Sequence, residues 1–157
     1  MSEPRISVEK SNGMAKVTIN RPEKHNAMDL LFFREFGPRI DELSQDSEVR
    51  AIILTGAGRS FCSGIDIVSL ADVARESASV TILGSSLGEP FGPLQSVVTS
   101  LRACRKPVIA AVNGFASGMG VSLLCLCDYR IASDQASFAP GFIRMGLAGE
   151  FGITYIL

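Results

Sequence analysis

The sequence predicts an α/β fold, and three observations carry that prediction. The stretch Lys106 to Asp128, KPVIAAVNGFASGMGVSLLCLCD, reads as a buried strand, a glycine turn, a helix start and a second apolar run. Arg5 to Asn20 alternates apolar and polar residues in two short runs around Ser11-Asn12-Gly13. Met28, Phe32, Phe36, Ile40 and Leu43 recur at helical spacing with charges between them. Strand and helix patterns thus alternate along 157 residues, a length that suits one domain of ordinary size or part of a larger one.

Taken in order, Ile6 and Val8 mark one face of a first strand, and Val17 and Ile19 one face of a second. The turn between them makes the pair a β-hairpin. NRPEKHNAMD is a polar loop. His25, the single histidine, has no acid or nucleophile beside it in sequence, so it reads as a solvated loop residue rather than a general base. In the helix that follows, Pro38 lacks a backbone donor, which predicts a kink, or two short helices with Pro38 opening the second. Ala51 to Thr55 is the next strand, ended by Gly56-Ala57-Gly58. Asp66 to Glu76 has helical spacing through Ile67 and Leu70, and Asp66 suits a cap better than a catalytic acid. Ser77 to Pro93 is small, polar and rich in Gly and Pro, as expected of a mobile loop. Leu94, Val97, Val98, Leu101 and Cys104 mark an amphipathic helix. Val108 to Val112 has the continuous apolar character of a strand covered on both faces. Asn113-Gly114 turns the chain, and Gly118 and Gly120 flank Met119 at the start of a buried helix. Tyr129 to Ala132 is a short strand, Asp134 to Ser137 a turn, and Phe138 opens a segment that runs to Gly152.

Composition excludes several function classes. The net charge is −1, with Lys and Arg scattered singly, so no stripe suits a nucleic acid. The longest apolar runs are too short to span a bilayer. The N-terminus has neither a secretory nor a transit pattern, and a reducing cytoplasm fits the cysteine usage. Cys62, Cys104, Cys125 and Cys127 have no metal-site spacing and no His nearby.

The glycines around Met119 carry a chemical implication. A helix that starts among glycines presents unpaired N–H groups and the positive end of its dipole. Without Cβ atoms at Gly118 and Gly120, a ligand can approach that backbone and an oxygen that becomes negative can be held there. Close helix–strand packing is the other reading of the same glycines.

Four stretches, VTINRPEKHNAM, SFCSGIDI, KPVIAAVNGFASGMGVSLLCLCDYRIAS and FIRMGLAGEFG, together resemble the enoyl-CoA hydratase/isomerase, or crotonase, superfamily over nearly the whole chain. The resemblance implies a crotonase-like spiral of ββα units, with two roughly perpendicular sheets flanked by helices. It implies an acyl-CoA substrate whose thioester oxygen is held by two backbone N–H groups, at the matching positions Ile65 and Met119. Ser63, Asp66 and Ile67 would lie along the CoA, and Lys24 would meet a phosphate. CoA is part of the substrate, so neither a separate cofactor nor a metal is implied. A homo-trimer or hexamer is implied for a complete chain.

Two departures from the family pattern shape the functional expectation. Hydratases place glutamates where this chain has Ser122 and Phe142, which would instead line the acyl pocket. Glu150 matches the single catalytic carboxylate of family isomerases, although a first-turn helix acid is its other reading. The resemblance therefore implies the shift of a 3-enoyl-CoA double bond to the 2-position, with Glu150 as base. Hydratase, acyl-CoA hydrolase and a non-catalytic acyl-CoA-binding subunit are the alternatives. The family also continues past the position of Leu157 with helices that cover the acyl pocket and build trimers, so a fragment or truncated form lacking that part is expected.

Overall fold

The computed structural model describes residues 4–69, 92–144, 146, 149 and 151–156. In chain order the strands are β1 (Ile6–Ser11), β2 (Met14–Ile19), β3 (Ala51–Gly56), β4 (Ser60–Cys62), β5 (Val108–Val112), β6 (Phe115–Ser117), β7 (Tyr129–Ala132) and β8 (Ser137–Ala139). The helices are α1 (Leu30–Gln45), α2 (Gly92–Ala103), α3 (Met119–Cys125), α4 (Gly141–Arg144) and α5 (Ile153–Ile156), with a 3₁₀ turn at Pro22–Lys24.

The hairpin forms as its pattern predicts. β1 and β2 pair antiparallel through Asn12-Gly13, both at positive φ (52° and 76°), the backbone that a two-residue hairpin turn requires. β2, β3, β5 and β7 then add in parallel, giving a five-stranded sheet in the order β1-β2-β3-β5-β7. Ala15, Val17, Ile19, Ile52, Leu54, Val108 and Ala110 are buried and join one core with Phe32, Phe36 and Ile40 of α1 and Val97 and Leu101 of α2. In β5 the alternate residues Ile109 and Ala111 are half-buried, so its two faces are covered unequally.

α1 runs as one helix through Pro38, so the two-helix alternative does not hold. Pro38 lies on the exposed side, as does Arg34, whose carbonyl Pro38 leaves without a helical donor. Water can satisfy that carbonyl. The preceding Gly37 faces α2, where a Cβ would come within 2.8 Å of Ser96 Cβ, so the two helices meet at van der Waals contact. Asp29 caps α1 by accepting the Phe32 N–H at 2.9 Å.

The helix expected from Asp66 is helical at residues 67–69, and its remainder lies outside the described residues. The loop expected at Ser77 to Pro93 lies outside them as far as residue 91. Gly92 and Pro93 belong to α2, which starts two residues before the apolar spacing suggests. A proline is tolerated there because first-turn N–H groups have no helical acceptor.

The second sheet, β4-β6-β8, is parallel throughout. Its strands are three residues each. Alternation over so short a run is invisible, and Ser137, expected in a turn, is the first residue of β8. The two sheets flanked by helices agree with the architecture that the family resemblance implies. The ends of β4 and β6 set the position of the site.

Candidate active site

β4 ends at Cys62, and the chain turns at Gly64, whose φ is 100°. Beyond the turn a one-residue parallel bridge joins Met28 to Ile65. Met28 N–H donates to the Gly64 carbonyl and Asp66 N–H to the Met28 carbonyl, both at 2.8 Å. Peptide groups of an extended chain alternate in direction, so these two bonds leave the Ile65 N–H facing away from Met28. A Cβ built on Gly64 would lie 2.9 Å from the Ser117 carbonyl oxygen and 3.4 Å from Met119 N. The two turns are therefore in contact, and only glycine permits it.

On the second turn, β6 ends at Ser117 and Gly118 precedes α3 with φ 50° and ψ −123°. Gly118 N–H donates to the Ala139 carbonyl at 3.1 Å. A Cβ on Gly118 would meet no described residue within 4 Å, whereas one on Gly120 would overlap the Cys62 carbonyl oxygen. The two sequence readings of these glycines thus divide: Gly120 serves packing, and Gly118 faces open space. Neither the Ile65 nor the Met119 N–H donates a hydrogen bond to a group among the described residues.

Charge organises the other side of the Ile65 turn. Arg21 Nη1 donates to Asp66 Oδ2 at 2.6 Å, with side-chain exposures of 12% and 14%. Asp66 Oδ1 accepts the Val68 and Ser69 N–H groups at 3.1 and 3.3 Å, the capping role that its sequence position suggests. Burial pushes the Asp66 carboxyl up, but the hydrogen bonds from Arg21 and Ser69 outweigh it and hold the group below its ordinary range.

A family model for enoyl-CoA hydratase/isomerase matches residues 9–157. This chain belongs to the enoyl-CoA hydratase/isomerase family. It is 40% identical over 137 residues to a peroxisomal Delta(3,5)-Delta(2,4)-dienoyl-CoA isomerase of Arabidopsis thaliana, covering 85% of this chain and 49% of that protein. It is 40% identical over 151 residues to a short-chain-enoyl-CoA hydratase of Clostridium acetobutylicum, covering 95% of this chain and 54% of that one. The crystal structure of an enoyl-CoA hydratase from Mycobacterium avium subsp. paratuberculosis K-10 superposes with a TM-score of 0.79 at 28% identity, over 99% of this chain and 58% of its own. The chain thus spans about half the length of the curated relatives it matches.

Within this crotonase-family chain, the remaining candidate residues fall into two groups. Lys24 is exposed at the end of the 3₁₀ turn, and its carbonyl accepts Ser63 Oγ at 3.4 Å. Ser63 N–H donates to the His25 carbonyl at 3.0 Å, and the Ile67 side chain is exposed. Lys24, Ser63, Asp66 and Ile67 therefore cluster around the Ile65 turn, with the Asp66 carboxylate turned inward to Arg21. Ser122 and Phe142 lie on the Met119 side. Ser122 is wholly buried, one turn into α3, and its hydroxyl has no hydrogen-bond partner among the described residues. Phe142 is half-buried on α4, and its Cζ lies 3.9 Å from the Cβ position of Gly149. α4 starts beside the Met119 turn, since a Cβ on Gly141 would lie 2.7 Å from Ser117 Oγ and 3.6 Å from Gly118 N. Glu150 lies outside the described residues. Next to it, Phe151 is buried, and α5 contacts α3.

His25 is exposed but has a fixed partner that the sequence does not reveal: its Nδ1 is 2.9 Å from Ser60 Oγ. The two help line a cavity of about 280 Å³ with Arg59, Ser63 and Phe115. Arg21 and Asn26 were also hidden in a loop without periodicity. Asn26 is buried at φ 57°, and its amide donates to the Ala57 and Ser60 carbonyls at 2.9 and 2.7 Å. The usable signal was the residue type itself, since Asn accepts the left-handed conformation more readily than most. Among the described residues no group of His, Cys, Asp and Glu could hold a metal ion, and no helix is long and apolar enough to cross a membrane.

Proposed function

We propose that the protein carries out enolate chemistry on acyl-CoA thioesters, with the Ile65 and Met119 N–H groups as the donors for the thioester oxygen. The observation that carries this reading is the contact between two glycine-built turns, each with one amide that has no acceptor among the described residues, beside space at Gly118 that no described residue fills. A proton next to a thioester carbonyl is weakly acidic. Preorganised donors stabilise the enolate oxygen, and removing one such donor typically costs about 3 kcal/mol of barrier height.

The reaction proposed is the shift of a 3-enoyl-CoA double bond to the 2-position. The Glu150 carboxylate takes a proton from C2, the electron pair moves onto the thioester oxygen held by the two amides, and the same carboxyl returns the proton at C4. One carboxyl suffices, and no cofactor is needed beyond the CoA of the substrate. Ser122 and Phe142, which cannot act as carboxylates, support isomerisation over hydration. The dienoyl-CoA isomerase named among the relatives supports the same enolate chemistry, with the proton leaving C2 and returning at C6 of a longer conjugated chain, whereas the hydratase relative supports the alternative. Lys24, Ser63, Asp66 and Ile67 lie around the Ile65 turn with Lys24 and Ile67 exposed, which supports a CoA path there. In the complete protein we place this unit in a homo-trimer or hexamer, supported by the exposed apolar side chains Tyr129, Ile131, Phe138 and Ile143. The four free cysteines support a reducing compartment such as the cytoplasm.

Turnover of a 3-enoyl-CoA, followed by the absorbance of the conjugated 2-enoyl product, tests the reading. Glu150→Gln keeps the shape and removes the base, so turnover should fall by about a thousand-fold or more with acyl-CoA affinity nearly unchanged. Wild-type turnover in that variant would remove Glu150 from the mechanism. Binding of acyl-CoA without any turnover by the intact chain would favour a non-catalytic acyl-CoA-binding subunit.

A further inference from the structure

The bridge between Met28 and Ile65 is a slender device for a catalytic donor. It contains one residue from each side and two backbone hydrogen bonds. Met28 is anchored in the core, but pairing of a single residue has no neighbouring rungs to cooperate with, so its hydrogen bonds open more easily than those of a ladder. Yet the direction of the Ile65 N–H depends on it: if the Asp66–Met28 and Met28–Gly64 bonds break, the next backbone tie between the two loops is Ser63 N–H to the His25 carbonyl, two residues before Ile65.

Arg21 supplies what the bridge lacks. Its Nη1 donates to Asp66 Oδ2 at 2.6 Å and approaches the Ala27 carbonyl at 3.4 Å. Ala27 directly precedes Met28, and Asp66 directly follows Ile65. One guanidinium therefore spans the two chains of the bridge just past its backbone bonds. The arginine is itself held. Its N–H donates to Asn26 Oδ1 at 2.9 Å, and the Asn26 amide group is fixed to the carbonyls of Ala57 and Ser60 at the β3–β4 connection. Asp29, which caps α1 and pairs with Arg5 at 2.8 Å, lies 3.8 Å from Arg21 Nη1 and adds a second negative neighbour. The pair is largely withdrawn from water, where a charge-assisted bond is stronger than on an open surface. Both bonds come from Nη1, and a lysine side chain is one atom shorter, so its ammonium would not reach that position with the same geometry.

We propose that Arg21 is a positioning residue: by joining the Asp66 carboxylate to the Ala27 carbonyl, it holds the Met28–Ile65 bridge shut and so aims the Ile65 N–H at the turn that carries Met119. This rests on the reading of Ile65 and Met119 as the donor pair. Arg21 touches no substrate in this scheme and acts only through the peptide it orients.

The test uses the intact chain with Arg21→Ala, Arg21→Lys, Asp66→Asn and the double variant Arg21→Ala/Asp66→Asn. Residue-resolved amide exchange by NMR should show the Met28 and Asp66 N–H groups exchanging about ten-fold faster in Arg21→Ala and in Asp66→Asn, with the double variant no worse than Arg21→Ala and the Ala110 N–H in β5 unaffected. If Arg21→Ala fails to fold, Arg21→Lys decides, and it should lose the same protection with the Ala110 N–H intact. Wild-type protection at Met28 and Asp66 in the folded variants overturns the proposal, as does acceleration that extends equally to Ala110. The functional arm uses acetoacetyl-CoA, whose enolate absorbs in the near ultraviolet. At saturation the wild type should raise the enolate fraction, and Arg21→Ala should lower it about ten-fold with little change in Kd. A wild type that raises no enolate overturns the donor-pair reading, and the positioning role with it. A raised fraction that Arg21→Ala retains overturns the positioning role alone.

Discussion

Gly118 combines two properties that usually occur apart: a backbone that side chains resist and a direction in which no described residue stands in the way. Its φ of 50° and ψ of −123° suit glycine, and its missing Cβ would project where no described residue lies within 4 Å. Gly118→Ala should therefore cost about 1–3 kcal/mol of stability through backbone strain alone. In the proposed site it should also weaken acyl-CoA binding, because the new methyl stands where the thioester approaches. Urea denaturation and calorimetric titration separate the two effects; unchanged affinity in a folded variant would place the ligand elsewhere. Asp66 makes a second prediction at this scale. Its carboxyl titrates below the ordinary range when folded, after burial and the opposing hydrogen bonds from Arg21 and Ser69 are set against each other. The unfolded chain therefore takes up protons first on acidification. The stabilisation is fully present above the unfolded pKa of about 3.9 and is lost as pH falls through the folded value. Amide exchange at Asp66, corrected for its intrinsic pH dependence, should stay constant from pH 7 to about 5 and accelerate only below about pH 4. Loosening near pH 6 would point to a different group.

Among the elements, α1 carries an unforced cost. Pro38 sits inside a continuous helix with its ring toward solvent, so no packing explains it. Pro38→Ala restores a donor for the Arg34 carbonyl and should stabilise the chain by about 1–3 kcal/mol, read from the urea midpoint at unchanged slope. The same helix shows what sequence can reveal. Phe32, Phe36, Ile40 and Leu43 were legible because burial repeats every turn over sixteen residues, and of the two outcomes expected at Pro38 the two-helix one failed because exposure lets water replace the lost bond. The hairpin was legible because Asn12-Gly13 matches a turn that demands positive φ twice. β4, β6 and β8 were not, since three residues cannot display a period of two against background. The site divides in the same way. Gly64, Gly118 and Gly120 announce themselves by residue type, and family resemblance points to Ile65 and Met119. Arg21 does not, because its partner Asp66 is far away in sequence and lies in another loop.

For the whole molecule, several of the exposed apolar side chains lie late in the chain, on β7 and the elements after it. β7 is an edge strand with Tyr129 and Ile131 open to solvent, Phe138 lies on β8, Ile143 on α4 and Tyr155 on α5. Exposed apolar groups at an unpaired strand edge promote association. The chain as given should therefore sediment as an oligomer or a concentration-dependent mixture. A monomer that persists at high concentration would show that these side chains tolerate water. The parallel pairing of β4 with β6 has a further consequence, in the order of events during synthesis. Ser60 pairs with Phe115, and Phe115 with Ser137, so no local hairpin can nucleate this sheet. Non-local pairing of that kind is slow, because a long loop closes before any contact rewards it. A ribosome that has released Ile65 still has to deliver the whole Met119 turn before the two amides can meet. The five-stranded sheet can begin from its hairpin at once, but the donor pair is a late product of translation, and nascent chains paused between the two turns would hold a folded edge with no site.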